Sequence, residues 1–223
     1  MKISVIGTGK TGSKVVDLLG NNVLDTFDEN NPPTVEKLKQ ADAIIVFVPG
    51  DAVDAIINDV LASTVPAVWG STGYEWPEDL NRRVQSMRSK WVLANNFSLG
   101  MNLIRKAIET MSAGSLILNN PSFKIHEVHH VHKKDAPSGT ALSWEKWLNQ
   151  PVNITSKRKG DVNGFHELTI TTKTEKIKIS HEALDRSIFA EGAIWAVDQL
   201  VSNKHLKYGV HTFSELFDLT TND

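Results

Sequence analysis

Cysteine is absent from the 223 residues of this chain. Its absence excludes disulfides, iron–sulfur clusters, thiolate nucleophiles and cysteine-based zinc sites. The sequence also lacks an apolar run long enough to cross a membrane and a recognisable signal segment, so we expect a cytoplasmic protein without a membrane partner. With a formal net charge of -2 and a pI of about 6.4, it has no strong positive field for binding nucleic acid.

What remains is an ordinary globular composition, 40% hydrophobic and 22% charged, in which short apolar runs alternate with helical segments over the first half. Ala43–Val48 is continuous, apolar and rich in β-branched residues, which is typical of a buried strand. The other predicted strands of this half are Lys2–Ile6, Val23–Asp28, Pro66–Trp69 and Trp91–Ala94, and the predicted helices between them are Lys10–Leu19, Asp51–Ala62 and Glu78–Arg88. This alternation predicts an α/β fold whose parallel sheet is covered on both faces.

The pattern changes after Phe97. The predicted strands become more polar, and the last of them alternates with the period of two that a half-exposed antiparallel strand shows. These strands are Phe123–Val131, Phe165–Thr172 and Thr174–Ser180, and the predicted helices are Leu99–Met111, Thr140–Asn149, Ile188–Ser202 and Thr212–Leu219. We therefore place a boundary near residue 98, with a second, mixed α/β domain after it.

A glycine-rich loop joins the first predicted strand to the first helix. It is Gly7-Thr8-Gly9-Lys10-Thr11-Gly12, the G-x-G-x-x-G pattern of Rossmann-type dinucleotide-binding domains. Asp28 ends the second strand, 28 − 7 = 21 positions after Gly7, where a carboxylate accepts hydrogen bonds from ribose hydroxyls. The alternative is a glycine-rich turn that binds nothing, but the strand, the helix and the acid in register favour a dinucleotide.

Four of the eight histidines lie in the short segment Ile125–His132. His126-Glu127-Val128-His129-His130 fits the H-E-x-x-H zinc-protease motif, but that chemistry requires a helix. The segment alternates and is rich in β-branched residues, so we interpret it as a strand and expect no metal site.

A candidate anion pocket follows the histidines. Ser138 is a suitable N-cap, and the amides of Gly139 and Thr140 at the start of the next helix point at any ligand placed there. A proton-transfer group (His129), a cation (Lys133) and a carboxylate-binding helix end (Gly139 and Thr140) thus fall within a few residues. The alternative is a histidine-rich surface loop before a capped helix, which composition alone would favour.

The segment Glu127–Ala141, with the sequence EVHHVHKKDAPSGTA, resembles the signature of the 4-hydroxy-tetrahydrodipicolinate reductase family, also called dihydrodipicolinate reductase. This family belongs to lysine and diaminopimelate biosynthesis in bacteria and plants. Similarity to family patterns continues along the chain at Gly70–Tyr74, Ala94–Gly100, Arg158–Glu167, His181–Arg186 and Phe189–Ala193. Ser71 and Val131 depart from the family pattern, where a threonine and a frequent arginine are expected.

The resemblance implies NAD(P)H-dependent reduction of 4-hydroxy-tetrahydrodipicolinate to tetrahydrodipicolinate. It implies His129 as proton donor or acceptor and Lys133 as proton donor. The substrate-binding residues that we expect are His130, Ser138, Gly139 and Thr140. The expected cofactor-binding residues are Gly7, Thr8, Gly9, Lys10, Thr11, Gly12, Asp28, Gly70, Ser71, Thr72, Asn95, Asn96 and Phe97.

The resemblance also implies how the chain is organised. Residues 1–98 together with 187–223 would form the Rossmann-type dinucleotide-binding domain, and residues 99–186 the substrate-binding and tetramerisation domain. The expected partners are a small dicarboxylate substrate and the other subunits of a homotetramer.

The residues after the second strand indicate which dinucleotide is preferred. Asp28 is followed by Glu29, Asn30 and Asn31, without the basic residue that dual-specific members tend to place there. Two acids repel a 2′-phosphate, so we expect NADH to be preferred over NADPH. Lys10 is the one nearby cation in the loop.

Two other functions remain open at this stage. One is an NAD(P)-dependent dehydrogenase of another small substrate with the same two-domain plan. The other is a non-catalytic dinucleotide-sensing protein. Another dehydrogenase would not be expected to carry His-His-x-His-Lys followed by Pro-Ser-Gly-Thr. His129, Lys133 and Thr140 argue against a sensor, which has no use for a proton donor.

Overall fold

The computed structural model describes residues 1–221. It divides into two compact units, one formed by Met1–Ser98 together with the chain from Ser187 onward, and the other by Leu99–Arg186. None of the helices in the described part of the chain is long and apolar enough to span a bilayer.

The first unit contains a six-stranded sheet in which all neighbours are parallel. Its strands are β1 Ile3–Ile6, β2 Val23–Phe27, β3 Ala43–Val46, β4 Ala67–Trp69, β5 Lys90–Leu93 and β10 Gly209–Thr212. They lie in the order β10-β5-β4-β3-β1-β2, so the strand order reverses between β1 and β3. In sheets of this type, ligands bind at the carboxyl ends of the strands beside that reversal.

Helices cover both faces of this sheet. They are α1 Gly12–Leu19, α2 Val35–Leu38, α3 Ile57–Ser63, α4 Leu80–Ser86, α7 Ser187–Ser202 and α8 Phe213–Thr221. The strands β1, β3 and β4 are buried along their whole length, which explains their uninterrupted apolar sequences. The predicted parallel α/β architecture is confirmed.

Three elements of this unit differ from the sequence-based expectation. The predicted helix 51–62 is a 3₁₀ turn, Gly50–Ala52, followed by the shorter α3. The turn packs closely, since a Cβ on Gly50 would lie 2.7 Å from the carbonyl carbon of Gly73. The sequence pattern missed α2 and β10, which are only four residues long each.

The second unit contains a mixed four-stranded sheet. Its strands are β6 Ser122–His129, β7 Val152–Arg158, β8 Phe165–Thr171 and β9 Lys176–Glu182, in the order β7-β6-β8-β9. β7 is parallel to β6, whereas β8 and β9 are antiparallel to their neighbours. The sequence pattern missed β7, but the predicted second, mixed α/β unit is confirmed.

The two faces of this sheet differ. One face packs its apolar side chains against the helices α5 Leu99–Gly114 and α6 Gly139–Leu148, with Ile125, Leu168 and Trp144 in the core. The opposite face carries more polar side chains and contains a concavity lined by residues of all four strands, with Lys124, His126, Glu167, Lys176 and Lys178 among them. Period-two alternation thus separates a packed face from a polar one.

Candidate functional site

The glycine loop of the first unit is shaped by backbone contacts. Gly7 has a φ of +90°, and a Cβ on it would lie 2.3 Å from the carbonyl oxygen of Phe47. A Cβ on Gly12 would lie 1.8 Å from the carbonyl oxygen of Gly7. Gly9 is exposed with nothing within 4 Å of its Cβ position, so the loop leaves room for a ligand at this glycine. Thr8 and Lys10 are also exposed, and Thr11 is half-buried before α1.

A cleft of about 940 Å³ lies beside this loop, at the carboxyl ends of β1, β2 and β3. Four of the predicted cofactor-binding residues line it: Gly7, Thr8, Gly9 and Asp28. Its lining also includes the carboxylates of Glu29, Asp51 and Asp59, and no lysine or arginine from the described part of the chain. The cleft is therefore an acidic one.

The Asp28 side chain also organises the turn that follows it. Its Oδ1 accepts hydrogen bonds from the backbone N–H of Asn30 at 2.9 Å and of Asn31 at 3.0 Å. Lys37 of α2 supplies a cation near this turn, because its Nζ lies 3.4 Å from Asn31 Oδ1. The sequence argument considered only the residues directly after Asp28 and the glycine loop, so it did not identify Lys37.

Two further predicted cofactor segments follow β4 and β5. A Cβ on Gly70 would lie 2.1 Å from Phe47 Cε1, so a side chain there would displace the Phe47 ring. Ser71 is buried and Thr72 is exposed. Because β1, β4 and β5 are parallel, both segments emerge at the same edge of the sheet as the glycine loop.

Two residues of the segment Asn95–Phe97 make contacts within the protein. Phe97 is 1% exposed and makes edge-on contacts with the rings of Phe47 and Phe213. Asn96 Oδ1 accepts a hydrogen bond from the backbone N–H of Ser98 at 2.8 Å. Asn95 is exposed, so a ligand can reach its side chain.

The histidine-rich segment of the second unit is strand β6, as the alternation predicted. Glu127 and His129 are two residues apart and therefore point to the same face, toward the helices. Both are buried, with exposures of 0% and 6%, and Glu127 Oε2 lies 3.2 Å from His129 Nδ1. His126 points to the other face, where its Nδ1 lies 2.9 Å from Thr155 Oγ1. The H-E-x-x-H residues thus lack the shared helical face that a zinc protease requires.

Strand pairing adds two residues that the sequence argument did not name. Glu127 is directly opposite His166 of β8, and His129 is opposite Arg158 of β7. His166 Nε2 lies 3.7 Å from Glu127 Oε2, and Arg158 Nη1 and Nη2 each lie 3.4 Å from Glu127 Oε1. One carboxylate therefore faces two imidazoles and a guanidinium.

Arg158 also contacts the loop that carries Lys133. Its Nε donates to the carbonyl oxygen of Lys133 at 3.2 Å, and its Nη2 donates to the carbonyl oxygen of Asp135. Lys133 Nζ lies 2.9 Å from Asp135 Oδ2, and its side chain is about a quarter exposed. The ammonium group is thus held at the surface of the same cluster. His130, next to His129, is half-buried.

The start of α6 completes this site. Ser138 is the predicted N-cap, because its Oγ accepts a hydrogen bond from the N–H of Ala141 at 3.2 Å. The same Oγ lies 3.1 Å from His166 Nε2, and the backbone N–H of Ser138 donates to Glu127 Oε1 at 3.1 Å. The Ser138 side chain is therefore occupied within the protein. Gly139 is exposed and Thr140 half-exposed, so the start of α6 is accessible to a ligand.

Burial and charge shift the pKa values in this cluster. Burial alone would raise the pKa of Glu127, but hydrogen bonds from Ser138 and Ser156 lower it overall, which keeps the carboxylate ionised. Burial lowers the pKa of His129, and Glu127 opposes this shift. Burial, together with the charge of His129, lowers the pKa of His166 to about 4, so this ring is neutral at pH 7.

Glu127, His129 and His166 bring three potential donor atoms within 4.8 Å of one another. The geometry alone would admit a cation. However, Arg158 and the Ser138 N–H already neutralise one oxygen of the carboxylate, and a second positive charge beside Arg158 would be repelled. The expectation of no metal stays a prediction.

Comparison with known proteins identifies the family. Residues 100–215 match the family model described as "Dihydrodipicolinate reductase, C-terminus". A 4-hydroxy-tetrahydrodipicolinate reductase of Pelagibacter ubique is 35% identical over 198 residues, covering 77% of this chain and 75% of the relative. The chain belongs to the 4-hydroxy-tetrahydrodipicolinate reductase family. The resemblance seen in the sequence is confirmed.

Two further comparisons agree with this assignment. A 4-hydroxy-tetrahydrodipicolinate reductase of Alkaliphilus metalliredigens is 31% identical over 216 residues, which cover 86% of this chain and 87% of the relative. A dipicolinate-bound dihydrodipicolinate reductase from Paenisporosarcina sp. TG-14 has a TM-score of 0.74 and 18% identity, and the match covers 95% of this chain and 97% of that one. The second comparison shows that the fold of the reductase family extends over both units.

Sequence reasoning missed three residues of the site in the second unit. Glu127 was part of the zinc motif and of the family signature, and Arg158 and His166 lay inside other segments that resembled the family, but none of the three had an assigned role. The available signal was that Glu127 and His129 share a strand face. The pairing of that strand with β7 and β8 was not available from spacing.

Proposed function

We propose that this chain catalyses the NAD(P)H-dependent reduction of 4-hydroxy-tetrahydrodipicolinate to tetrahydrodipicolinate, in the diaminopimelate and lysine pathway. Membership of the reductase family supports the reaction. The observation that carries the assignment to residues is the cluster in which His129 lies against a buried carboxylate and Lys133 is held beside it. A non-catalytic sensor has no use for this arrangement.

The residues of the first unit fit a dinucleotide. Gly7 and Gly12 allow a backbone path that side chains would block, and the start of α1 supplies N–H groups for a pyrophosphate. The cofactor-binding residues in this proposal are Gly7, Thr8, Gly9, Lys10, Thr11, Gly12, Asp28, Gly70, Ser71, Thr72, Asn95, Asn96 and Phe97. When bound, the nicotinamide supplies a hydride. Of these residues, Ser71 and Phe97 contribute by packing, because both are buried.

The residues of the second unit supply the proton and hold the substrate. Hydride addition to the conjugated imine leaves negative charge, which an adjacent acid must neutralise. Lys133 carries N–H donors at the surface of the cluster, and His129 stands beside it as donor or acceptor. His130 and the amides of Gly139 and Thr140 would bind the substrate carboxylates, whereas Ser138 shapes the pocket by capping the helix.

The acidic cleft supports a preference for NADH. Asp28, Glu29, Asp51 and Asp59 line it, and a 2′-phosphate would add negative charge beside them. Repulsion of this kind weakens NADPH by about 1–2 kcal/mol, roughly 5- to 30-fold, at modest salt. The test is kcat/KM for both nucleotides. Equal or better use of NADPH would show that a cation, Lys10 or Lys37, controls the pocket.

We further propose a homotetramer that forms through the polar face of the second sheet. That face carries lysines and glutamates on neighbouring strands, for example Lys178 Nζ at 2.9 Å from Glu167 Oε1, and could pair with a copy of itself. Sedimentation analysis of the purified protein tests the assembly. A cytoplasmic location and the absence of nucleic-acid and membrane partners stay predictions.

The deciding experiment is a coupled assay with the purified chain. The substrate is generated in situ by an aldolase that condenses pyruvate with aspartate semialdehyde, and the fall of NADH absorbance is followed. Consumption of NADH that depends on both the chain and the substrate supports the proposal. A chain that binds NADH but consumes none would be a sensor, and one that oxidises NADH only with other small acceptors would be another dehydrogenase.

A further inference from the structure

Glu127 is a buried carboxylate directly behind His129, the proposed catalytic histidine. Glu127 has no exposed surface, and removing an ionised group from water is costly unless partners compensate it. A hydrophobic residue of β6 at this position would pack between the sheet and the helices, as Ile125 does two residues earlier. The charge is therefore retained for its effect on its neighbours.

Each oxygen of Glu127 has a separate set of neighbours. Oε1 accepts the backbone N–H of Ser138 at 3.1 Å and faces the Arg158 guanidinium at 3.4 Å. Oε2 faces His129 Nδ1 at 3.2 Å and His166 Nε2 at 3.7 Å. The first set holds the carboxylate in place, and the second presents it to the imidazoles.

The contact at Nδ1 determines which nitrogen of His129 can react. The two atoms are 3.2 Å apart but outside hydrogen-bond geometry, so the carboxylate acts on the ring as a charge. A negative charge on this side favours a neutral imidazole with its proton on the facing nitrogen, so we expect Nδ1 to carry the hydrogen and Nε2 to be left for proton transfer. Nε2 lies on the side of Gly164, where a Cβ would be only 3.2 Å away. Since position 164 is a glycine, this residue places no side chain over that nitrogen.

Arg158 connects the same carboxylate to the other proposed proton donor. Its guanidinium faces Glu127 and also donates to the carbonyl oxygens of Lys133 and Asp135. The loop that carries the lysine is thereby tied to the strand that carries the histidine. A planar fork with several donors can do this, whereas an ammonium group cannot replace it contact for contact.

We propose that Glu127 is the positioning residue of this site: it fixes the Nδ1–H tautomer of His129 and, through Arg158, the loop of Lys133. The inference rests on the proposed function for its kinetic consequence. Its structural consequence, the tautomer, can be measured without any turnover. The same logic orients the base in nucleophile–histidine–carboxylate sites, where the carboxylate acts without touching substrate.

The first test uses the unaltered protein. Nitrogen-15 NMR of histidine-labelled enzyme distinguishes a protonated Nδ1 from a protonated Nε2, and His129→Gln assigns the signal. We expect the Nδ1–H form at pH 7.5. An Nε2–H form would overturn the proposal, whether or not the chain proves to be a reductase.

The second test is Glu127→Gln, with Glu145→Gln as its matched control, because Glu145 makes the same change on the exposed side of α6. We expect Glu127→Gln to lower kcat about 10- to 100-fold, with a smaller change in KM, and to mix the His129 tautomers. The charges that act on His129 are Glu127, Lys133, Asp135 and Arg158. Two further titratable rings lie nearby: His166, which is neutral at pH 7, and His181, which acts on His166. Loss of the Glu127 charge should therefore move the His129 titration to lower pH.

The outcomes separate the two hypotheses. A wild-type chain without reductase activity would contradict the proposed function and leave the tautomer measurement as the test of this inference. An active wild type with unchanged kcat and unchanged tautomer in Glu127→Gln would overturn the inference alone. If Glu127→Gln does not fold, Arg158→Lys replaces it, and unchanged kcat in that variant would equally contradict the proposal.

Discussion

Acid should weaken the second unit through the buried imidazole of His166. The ring is 3% exposed, and burial, with the charge of His129, lowers its pKa to about 4. In an unfolded chain the pKa of the same ring is about 6.5. Between these values the unfolded state binds a proton that the folded state does not, so the contribution to stability is complete above pH 6.5 and is lost as the pH falls toward 4.

The size of the effect follows from the displaced pKa. Each tenfold change in proton affinity corresponds to about 1.4 kcal/mol, so the full loss from His166 approaches ~3 kcal/mol below pH 4. Between pH 7 and pH 5 the loss is about 2 kcal/mol. A loss of this size is a large part of the total stability of an ordinary domain, which is about 5–15 kcal/mol.

The substitution His166→Gln isolates this contribution. Glutamine does not titrate, and its amide can still donate a hydrogen bond to the Ser138 hydroxyl that His166 contacts at 3.1 Å. His129 and His181, whose pKa values burial also lowers, are present in both proteins, so most of their effect is common to the two. We expect the variant to lose about 2 kcal/mol less than wild type between pH 7 and pH 5.

Urea unfolding at pH 7, 6 and 5, followed by tryptophan fluorescence, measures this difference. Trp144 is a suitable reporter, because its ring lies 5.6 Å from that of His166. His205→Gln, at an exposed histidine of the first unit, is the control and should follow wild type at every pH. The reasoning is refuted if His166→Gln loses as much stability on acidification as wild type does.

Three other predictions concern the two sites. Lys133→Ala and His129→Ala should each lower kcat by about 10²-fold or more while the Kd for NADH, measured by calorimetry, barely changes; lost NADH binding with kcat retained would contradict their roles. Purified protein should contain no stoichiometric zinc and keep its activity in chelator, whereas about one zinc per chain by elemental analysis, lost together with activity, would restore a metal site. Gly12→Ala should weaken NADH at least about 10-fold, since its Cβ would lie 1.8 Å from the Gly7 carbonyl oxygen. Gly114→Ala, at an open position, should bind NADH like wild type.

The features that the sequence determined by itself are those that depend on local spacing. A glycine pattern between a strand and a helix predicts its own turn, because Gly7 and Gly12 occupy positions that no side chain could. Ser138 caps α6 because its oxygen reaches the N–H three residues later. Likewise, uninterrupted apolar runs predicted the parallel strands, since a strand buried on both faces needs no alternation.

Tertiary structure alone decided what depends on pairing between distant segments. β7 is largely polar and β10 has only four residues, and both are held by their neighbours rather than by their own pattern. In the sequence, Glu127 matches a zinc-protease motif. Only the pairing of β6 with β7 and β8 places Arg158 and His166 beside it. The register of the sheet decides which partners a buried side chain has, and those partners shift its pKa. Register is set only in the folded chain.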